Sequence, residues 1–117
     1  MYRISKQFSF SASHILTHLS EAHPCARIHG HNYTVTVHLK STTLDDYGFV
    51  RDYKTLNIVR QFIEETLDHR HLNDCMSYPP TSENIARFLY ERFKPEISEL
   101  FAVEVSETPN TSCIYEP

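Results

Sequence analysis

Five of the chain's eight histidines and one of its three cysteines fall in a single twenty-residue stretch, HILTHLSEAHPCARIHGHNY, from His14 to Tyr33. His29 and His31 are two apart, so on a strand they project from one face while Gly30 points away. His14 closes a segment in which Phe8, Phe10 and Ala12 share its parity and Ser9, Ser11 and Ser13 take the other. If the two segments pair as strands, three imidazoles converge on one point. Three neutral histidines are a common Zn²⁺ donor set that leaves the fourth tetrahedral position open for water or substrate, which separates a catalytic site from a structural one. His18 and His23, in a polar connection, read as surface residues, and His38, on the opposite parity, as solvated.

Three further groups could act on a ligand held there. Cys25 lies four residues before His29. It could close a structural site as a fourth ligand, or sit beside the metal as a readily ionised thiol, suited to a general base or nucleophile. Asp68 adjoins His69, and a carboxylate that fixes an imidazole tautomer makes it a proton shuttle; histidines favourably placed at a helix C-terminus are the competing account. Glu107 shares the parity of Phe101, Val103 and Val105, which puts a carboxylate at the end of an apolar face. Buried acids need a partner: a heterocycle presenting an N–H and an amino group would satisfy both oxygens, as would an ordinary salt bridge.

The elements that must position these groups are legible from periodicity. Phe8 to His14 and His29 to Lys40 alternate as strands, the second with Tyr33, Val35, Val37 and Leu39 on one face. After Asp52, Leu56, Val59, Phe62, Ile63 and Leu67 recur at helical spacing. Pro79-Pro80 interrupts, Thr81-Ser82 offers an N-cap, and Ile85, Phe88, Leu89 and Phe93 form a second helical stripe that Pro95 stops. Phe101 to Val105 alternates again, and Ser112 to Tyr115 folds back after a Pro109-Asn110 turn. The order β-β-α-α-β-β predicts an α+β domain spanning 1–117, two helices packed on one face of an antiparallel sheet.

Composition narrows the function. A formal net charge of -4 lacks the basic excess that phosphate-backbone binding needs, which argues against nucleic acid as a partner. No apolar run approaches a membrane span, and the N-terminus lacks an apolar signal core. Three cysteines without disulfide-framework spacing predict a reducing, cytoplasmic setting. With only Gly30 and Gly48, a Gly-rich phosphate loop is excluded.

Read together, these stretches resemble the family of 6-pyruvoyl- and 6-carboxy-tetrahydropterin synthases over nearly the whole chain. The resemblance rests on Phe10-Ser-Ala-Ser-His14, Cys25-x-x-x-His29-Gly-His31, Gly48-Phe-Val-Arg-Asp52-Tyr, Leu67-Asp-His-x-x-Leu-Asn73, Pro80-Thr-Ser-Glu-Asn84 and Glu107-Thr108, all in the family's order. Phe49 and Tyr53 stand where the third segment usually has Met and Phe. The resemblance implies the ββααββ tunnelling fold (T-fold) and a homo-oligomer built from trimers, with active sites between subunits. It implies His14, His29 and His31 as Zn²⁺ ligands, Cys25 as catalytic thiol, Asp68 and His69 as its proton relay, and Glu107 with Thr108 as the pterin anchor. Three residues between Cys25 and His29 match the carboxy-type enzymes of queuosine biosynthesis, whereas biopterin-type pyruvoyl synthases usually have five. The implied reaction is a carbon–carbon lyase converting 7,8-dihydroneopterin triphosphate to 6-carboxy-5,6,7,8-tetrahydropterin with release of triphosphate and acetaldehyde. The pyruvoyl synthase, and a non-catalytic zinc-containing pterin-binding oligomer, are the alternatives. No Lys/Arg cluster marks a triphosphate site; Arg27, Arg51 or Arg70 would have to serve.

Overall fold

A computed structural model describes residues 1–117. Four strands, β1 (Tyr2–His14), β2 (His29–Ser41), β3 (Leu100–Thr108) and β4 (Thr111–Tyr115), form one antiparallel sheet in the order β1-β2-β3-β4. Helices α1 (Asn57–Thr66) and α2 (Ser82–Phe93) lie in the β2–β3 connection and bury their apolar stripes against one sheet face. The expected element order and layering are therefore observed. No helix is long and apolar enough to cross a membrane.

The helix boundaries follow from capping. Asp52 accepts the Lys54 N–H (2.9 Å) to open a 3-10 turn, Tyr53–Leu56, that leads into α1. Thr81 accepts the Asn84 N–H (3.2 Å), and Asn84 donates back to the Pro79 carbonyl (2.9 Å), which fixes the start of α2. Val59 and Ile63 from α1 and Ile85, Ala86, Leu89 and Phe93 from α2 meet Val35, Val37, Leu39, Val103 and Val105 from the sheet. Each fully buried Val, Leu or Ile contributes about 1.5–3 kcal/mol of transfer free energy. That layer makes the sheet a rigid platform.

Two departures from simple alternation have identifiable causes. Strand β1 begins at Tyr2, six residues before the legible pattern. Lys6 occupies a core-parity position there, its ammonium over the Phe8 ring (5.7 Å) and reaching the Tyr53 carbonyl and Asn57 Oδ1 (both 3.3 Å). In β3 a bulge opposite His38 and Leu39 makes Leu100, not Phe101, the core residue. Phe101 is thereby turned to the other face, beneath the cations of Arg3 (5.2 Å) and Lys40 (4.7 Å). His38, expected to be solvated, is half-buried on that face against Glu104 (3.1 Å).

Candidate functional site

The β1–β2 register places His14 directly opposite His29, with His31 opposite Ala12. All three rings therefore share the core face at the open end of the strand pair. Their ring centroids lie 4.4–5.0 Å apart, and one nitrogen from each falls within 4.8 Å of the others. Tyr33, fully buried and stacked on Phe10 (4.8 Å), floors the group. Burial pushes the His14 pKa below its ordinary 6.5, with His29 and His31 adding to the effect against the Pro80 bond and the Glu107 charge. His14 is accordingly neutral at pH 7, as a metal ligand must be.

Hydrogen bonding fixes which nitrogens face inward. His14 Nδ1 lies 2.8 Å from the Pro80 carbonyl and His29 Nδ1 2.7 Å from the Arg27 carbonyl. A carbonyl only accepts, so both Nδ1 atoms carry the proton. The two Nε2 lone pairs then face each other at 2.8 Å. His31 Nε2, fully buried, has no hydrogen-bond partner at all. Two inward lone pairs aimed at each other, with an orphaned ring nitrogen beside them, fit a cation shared between the three. In ideal tetrahedral zinc geometry, with Zn–N of about 2.0–2.1 Å, the nitrogens would sit roughly 3.3 Å apart. The observed nitrogens, 2.8 Å apart for His14 and His29 and all within 4.8 Å of one another, lie around that spacing.

Glu107 enters from β3 as its parity required. Its Oε2 lies 3.6 Å from His31 Nε2, too long for a hydrogen bond, and no Lys or Arg pairs with it. The one ion-pair contact of this carboxylate is with His31, and it carries charge only when that ring is protonated. Thr108 follows in the hairpin, where its hydroxyl meets that of Thr111 (2.7 Å) and it makes no contact with the histidines. Cys25 sits half-buried on a short 3-10 turn, Pro24–Ala26, capped by His23, whose Nδ1 accepts the Cys25 N–H (3.1 Å). The Leu16 N–H donates to the Cys25 carbonyl (2.9 Å), tying the turn to the end of β1. The thiol is not among the converging ligand atoms.

Asp68 and His69 lie elsewhere, strapped along the free edge of β1. Asp68 Oδ1 accepts the Ser11 N–H (2.9 Å) and Oδ2 the His69 Nδ1–H (3.0 Å), while the His69 N–H donates to the Ser11 carbonyl (2.6 Å). The Ser11 bond, helped by His69 and opposed by burial, holds the Asp68 carboxyl below the ordinary carboxylate range. His69 adopts φ 58°, an uncommon left-handed conformation for a side-chain-bearing residue, and its ring is 82% exposed. The orienting carboxylate is thus present, but no contact links this pair to the histidine group. Ser11 is three residues from His14, about 10 Å along a strand. Of the three candidate arginines, Arg51 is committed: its Nε and Nη2 pair with both Glu99 oxygens (3.1 and 3.3 Å).

Sequence reasoning missed the parts without a side-chain signature. The carbonyls of Pro80 and Arg27 orient two of the rings, and backbone atoms are the same at every residue. The Tyr33 hydroxyl, 3.3 Å from His14 Nδ1, was legible only as a core position.

Residues 3–117 match the family model described as 6-pyruvoyl tetrahydropterin synthase. A 6-carboxy-5,6,7,8-tetrahydropterin synthase of Synechocystis is 34% identical over 122 residues, covering 98% of this chain and 93% of that protein. One of Bacillus subtilis is 30% identical, covering 99% and 86%. The solved structure of Caenorhabditis elegans 6-pyruvoyl tetrahydropterin synthase superposes with a TM-score of 0.87 at 30% identity, covering 99% of this chain and 95% of that one.

Proposed function

The chain belongs to the 6-pyruvoyl tetrahydropterin synthase family, tunnelling-fold lyases of pterin metabolism, and from that premise we propose that it is a zinc-dependent 6-carboxy-5,6,7,8-tetrahydropterin synthase. Its substrate is 7,8-dihydroneopterin triphosphate, its co-products are triphosphate and acetaldehyde, and its pathway is queuosine biosynthesis in the cytoplasm. The observation that carries the reading is the set of three converging imidazole nitrogens, one of them orphaned, beside a carboxylate that no Lys or Arg pairs. The three-residue Cys25–His29 spacing and the relatives that match over nearly the whole chain support the carboxy-type product.

His14, His29 and His31 hold Zn²⁺, which when bound supplies Lewis-acid polarisation of the substrate's side-chain oxygens. Glu107, with Thr108 beside it, accepts hydrogen bonds from the pterin ring N–H and amino group, which fixes the side chain over the histidines. Cys25, just outside the ligand ring, removes and returns a proton at the side-chain carbon. His69, its Nδ1–H held by Asp68, presents Nε2 to take or deliver the second proton. Because Asp68 and His69 make no contact with the histidines of their own chain, a neighbouring copy supplies them. The working form is a homo-oligomer built from trimers, with sites between subunits.

The test is an anaerobic assay of zinc-quantified protein with 7,8-dihydroneopterin triphosphate, products identified by mass. One zinc per chain with 6-carboxy-tetrahydropterin and acetaldehyde is expected. A 6-pyruvoyl product without acetaldehyde would move the chain to the sister activity, and bound zinc without turnover would leave a pterin-binding module.

A further inference from the structure

The turn that carries Cys25 is fastened almost entirely by backbone. The His23 N–H donates to the Ser20 carbonyl (2.8 Å), the Ala26 N–H to the His23 carbonyl (3.0 Å) and the Arg27 N–H to the Pro24 carbonyl (3.2 Å). The Cys25 carbonyl accepts the Leu16 N–H (2.9 Å), and the Arg27 carbonyl accepts His29 Nδ1–H (2.7 Å). Pro24, at the first position of the turn, has no N–H to place and arrives with its φ already fixed. From His23 to Arg27, one backbone N–H depends on a side chain. It is that of Cys25, which donates to His23 Nδ1 (3.1 Å).

His23 differs from the metal-ligand candidates in how its ring is held. A backbone N–H only donates, so His23 Nδ1 keeps its lone pair and the proton sits on Nε2. His14 and His29 carry theirs on Nδ1. The His23 backbone is extended (φ -77°, ψ 131°), as a capping residue requires, and its ring stays on the surface. The ring nitrogen thus does what the side-chain oxygen of an Asn or Ser cap does. The turn it closes runs from the thiol to the carbonyl that orients His29, so the cap bears on where the sulfur stands relative to the ligand ring.

We infer that His23 is a positioning residue for the Cys25 thiol: its Nδ1 caps the turn and so fixes the sulfur beside the histidine group. That the held thiol moves a proton in turnover rests on the pterin reading above; the cap itself does not. Asn bears Oδ1 on the same carbon that bears Nδ1 in His, so it can accept the Cys25 N–H. Gln carries its oxygen one bond further out, at the level of Nε2. Leu fills the space and offers no acceptor.

The experiment compares zinc-loaded wild type with His23→Asn, His23→Gln and His23→Leu. It reads hydrogen exchange at the Cys25 amide by fragmentation mass spectrometry, zinc content, melting temperature, and kcat and KM separately for 7,8-dihydroneopterin triphosphate. Loss of a cap shifts a local equilibrium by roughly tenfold, so His23→Leu and His23→Gln should exchange that amide about tenfold faster and lose about tenfold in kcat. KM, zinc content and melting temperature should not change. His23→Asn should restore both amide protection and kcat. Amide protection in His23→Leu equal to wild type overturns the cap. Faster exchange with undiminished kcat overturns the positioning role. Protection restored by Asn without kcat, or kcat restored by Gln and not by Asn, gives the ring a chemical part of its own and overturns the inference as well. A wild type without turnover overturns the pterin reading instead, and the exchange series then decides the cap alone: protection lost in His23→Leu and regained in His23→Asn supports it.

Discussion

The histidine group and the Asp68–His69 strap both hang on the same end of β1, yet they are held in opposite ways. The histidines are gathered within one chain, on the core face, and two are locked by backbone carbonyls, one contact buried and one exposed. The strap is bound to a sheet edge almost wholly through backbone, and its working ring stands in solvent. One region gathers its donors entirely from its own chain. The other is oriented but makes no contact with the histidine group of its own chain. A metal site needs several donors at once, so it belongs on paired strands; a proton relay needs one ring in one orientation, which an edge strap provides and a second copy can use.

The largest expected effect breaks the first region. His14→Ala removes the ligand with the deepest burial and leaves the His29 and His31 nitrogens with two donors. Zinc content should fall well below one per chain and turnover to background, read by metal analysis and product formation. Full zinc retention would show that the three histidines are not the ligand set.

The second breaks the separation between regions. Cys25→Ala should keep zinc and lose about 10²–10⁴-fold in turnover, the usual range for a general base. His69→Asn, whose new residue tolerates the left-handed backbone, should do likewise with an unchanged melting temperature. Mixed through reversible dissociation in equal amounts, the two dead variants should recover about a quarter of wild-type activity, the chance that Cys25 and His69 from different copies meet. No recovery in demonstrably mixed oligomers would place relay and thiol in one chain.

How much of this was legible follows the same division. The trio, Glu107 and both helical stripes were readable because side-chain parity and 3.6-residue spacing are properties of the sequence. The first half of β1 was not, since Lys6 breaks the alternation at a core-parity position, its ammonium held over the Phe8 ring. Phe101 was assigned to the wrong face because the bulge beside it breaks the alternation that Val103 and Val105 keep. The relay pair was visible as Asp beside His, but its attachment to Ser11 depends on backbone groups 57 residues away, which no local pattern encodes.

Acid separates the two regions by window. The folded His14 pKa lies below 6.5, so the unfolded chain binds that proton more readily. Its neutral burial contributes stability above about pH 6.5 that is lost as pH falls through the lower folded value. Asp68, held below its ordinary 3.8, contributes above that value and is lost only in stronger acid. Melting of metal-free protein from pH 8 to 3 should therefore show two declines, and His14→Gln should abolish only the upper one. Zinc should move the upper decline to lower pH, because bound metal competes with the proton.

The smallest effect probes how the trio is locked. Two oxygens approach His14 Nδ1: the Pro80 carbonyl at 2.8 Å and the Tyr33 hydroxyl at 3.3 Å. The shorter contact is to an atom that can only accept, so Pro80 sets the tautomer and Tyr33 supports it. Tyr33→Phe keeps the stacked ring on Phe10 and removes only the weaker contact. Outer-shell partners typically tune metal affinity by about 10–100-fold, and with the Pro80 bond intact the loss should lie at or below the lower end. Chelator competition measures it directly. A hundredfold loss would mean that Tyr33, and not the backbone, holds the ring, and that the trio depends on a side chain as much as the strap depends on its edge.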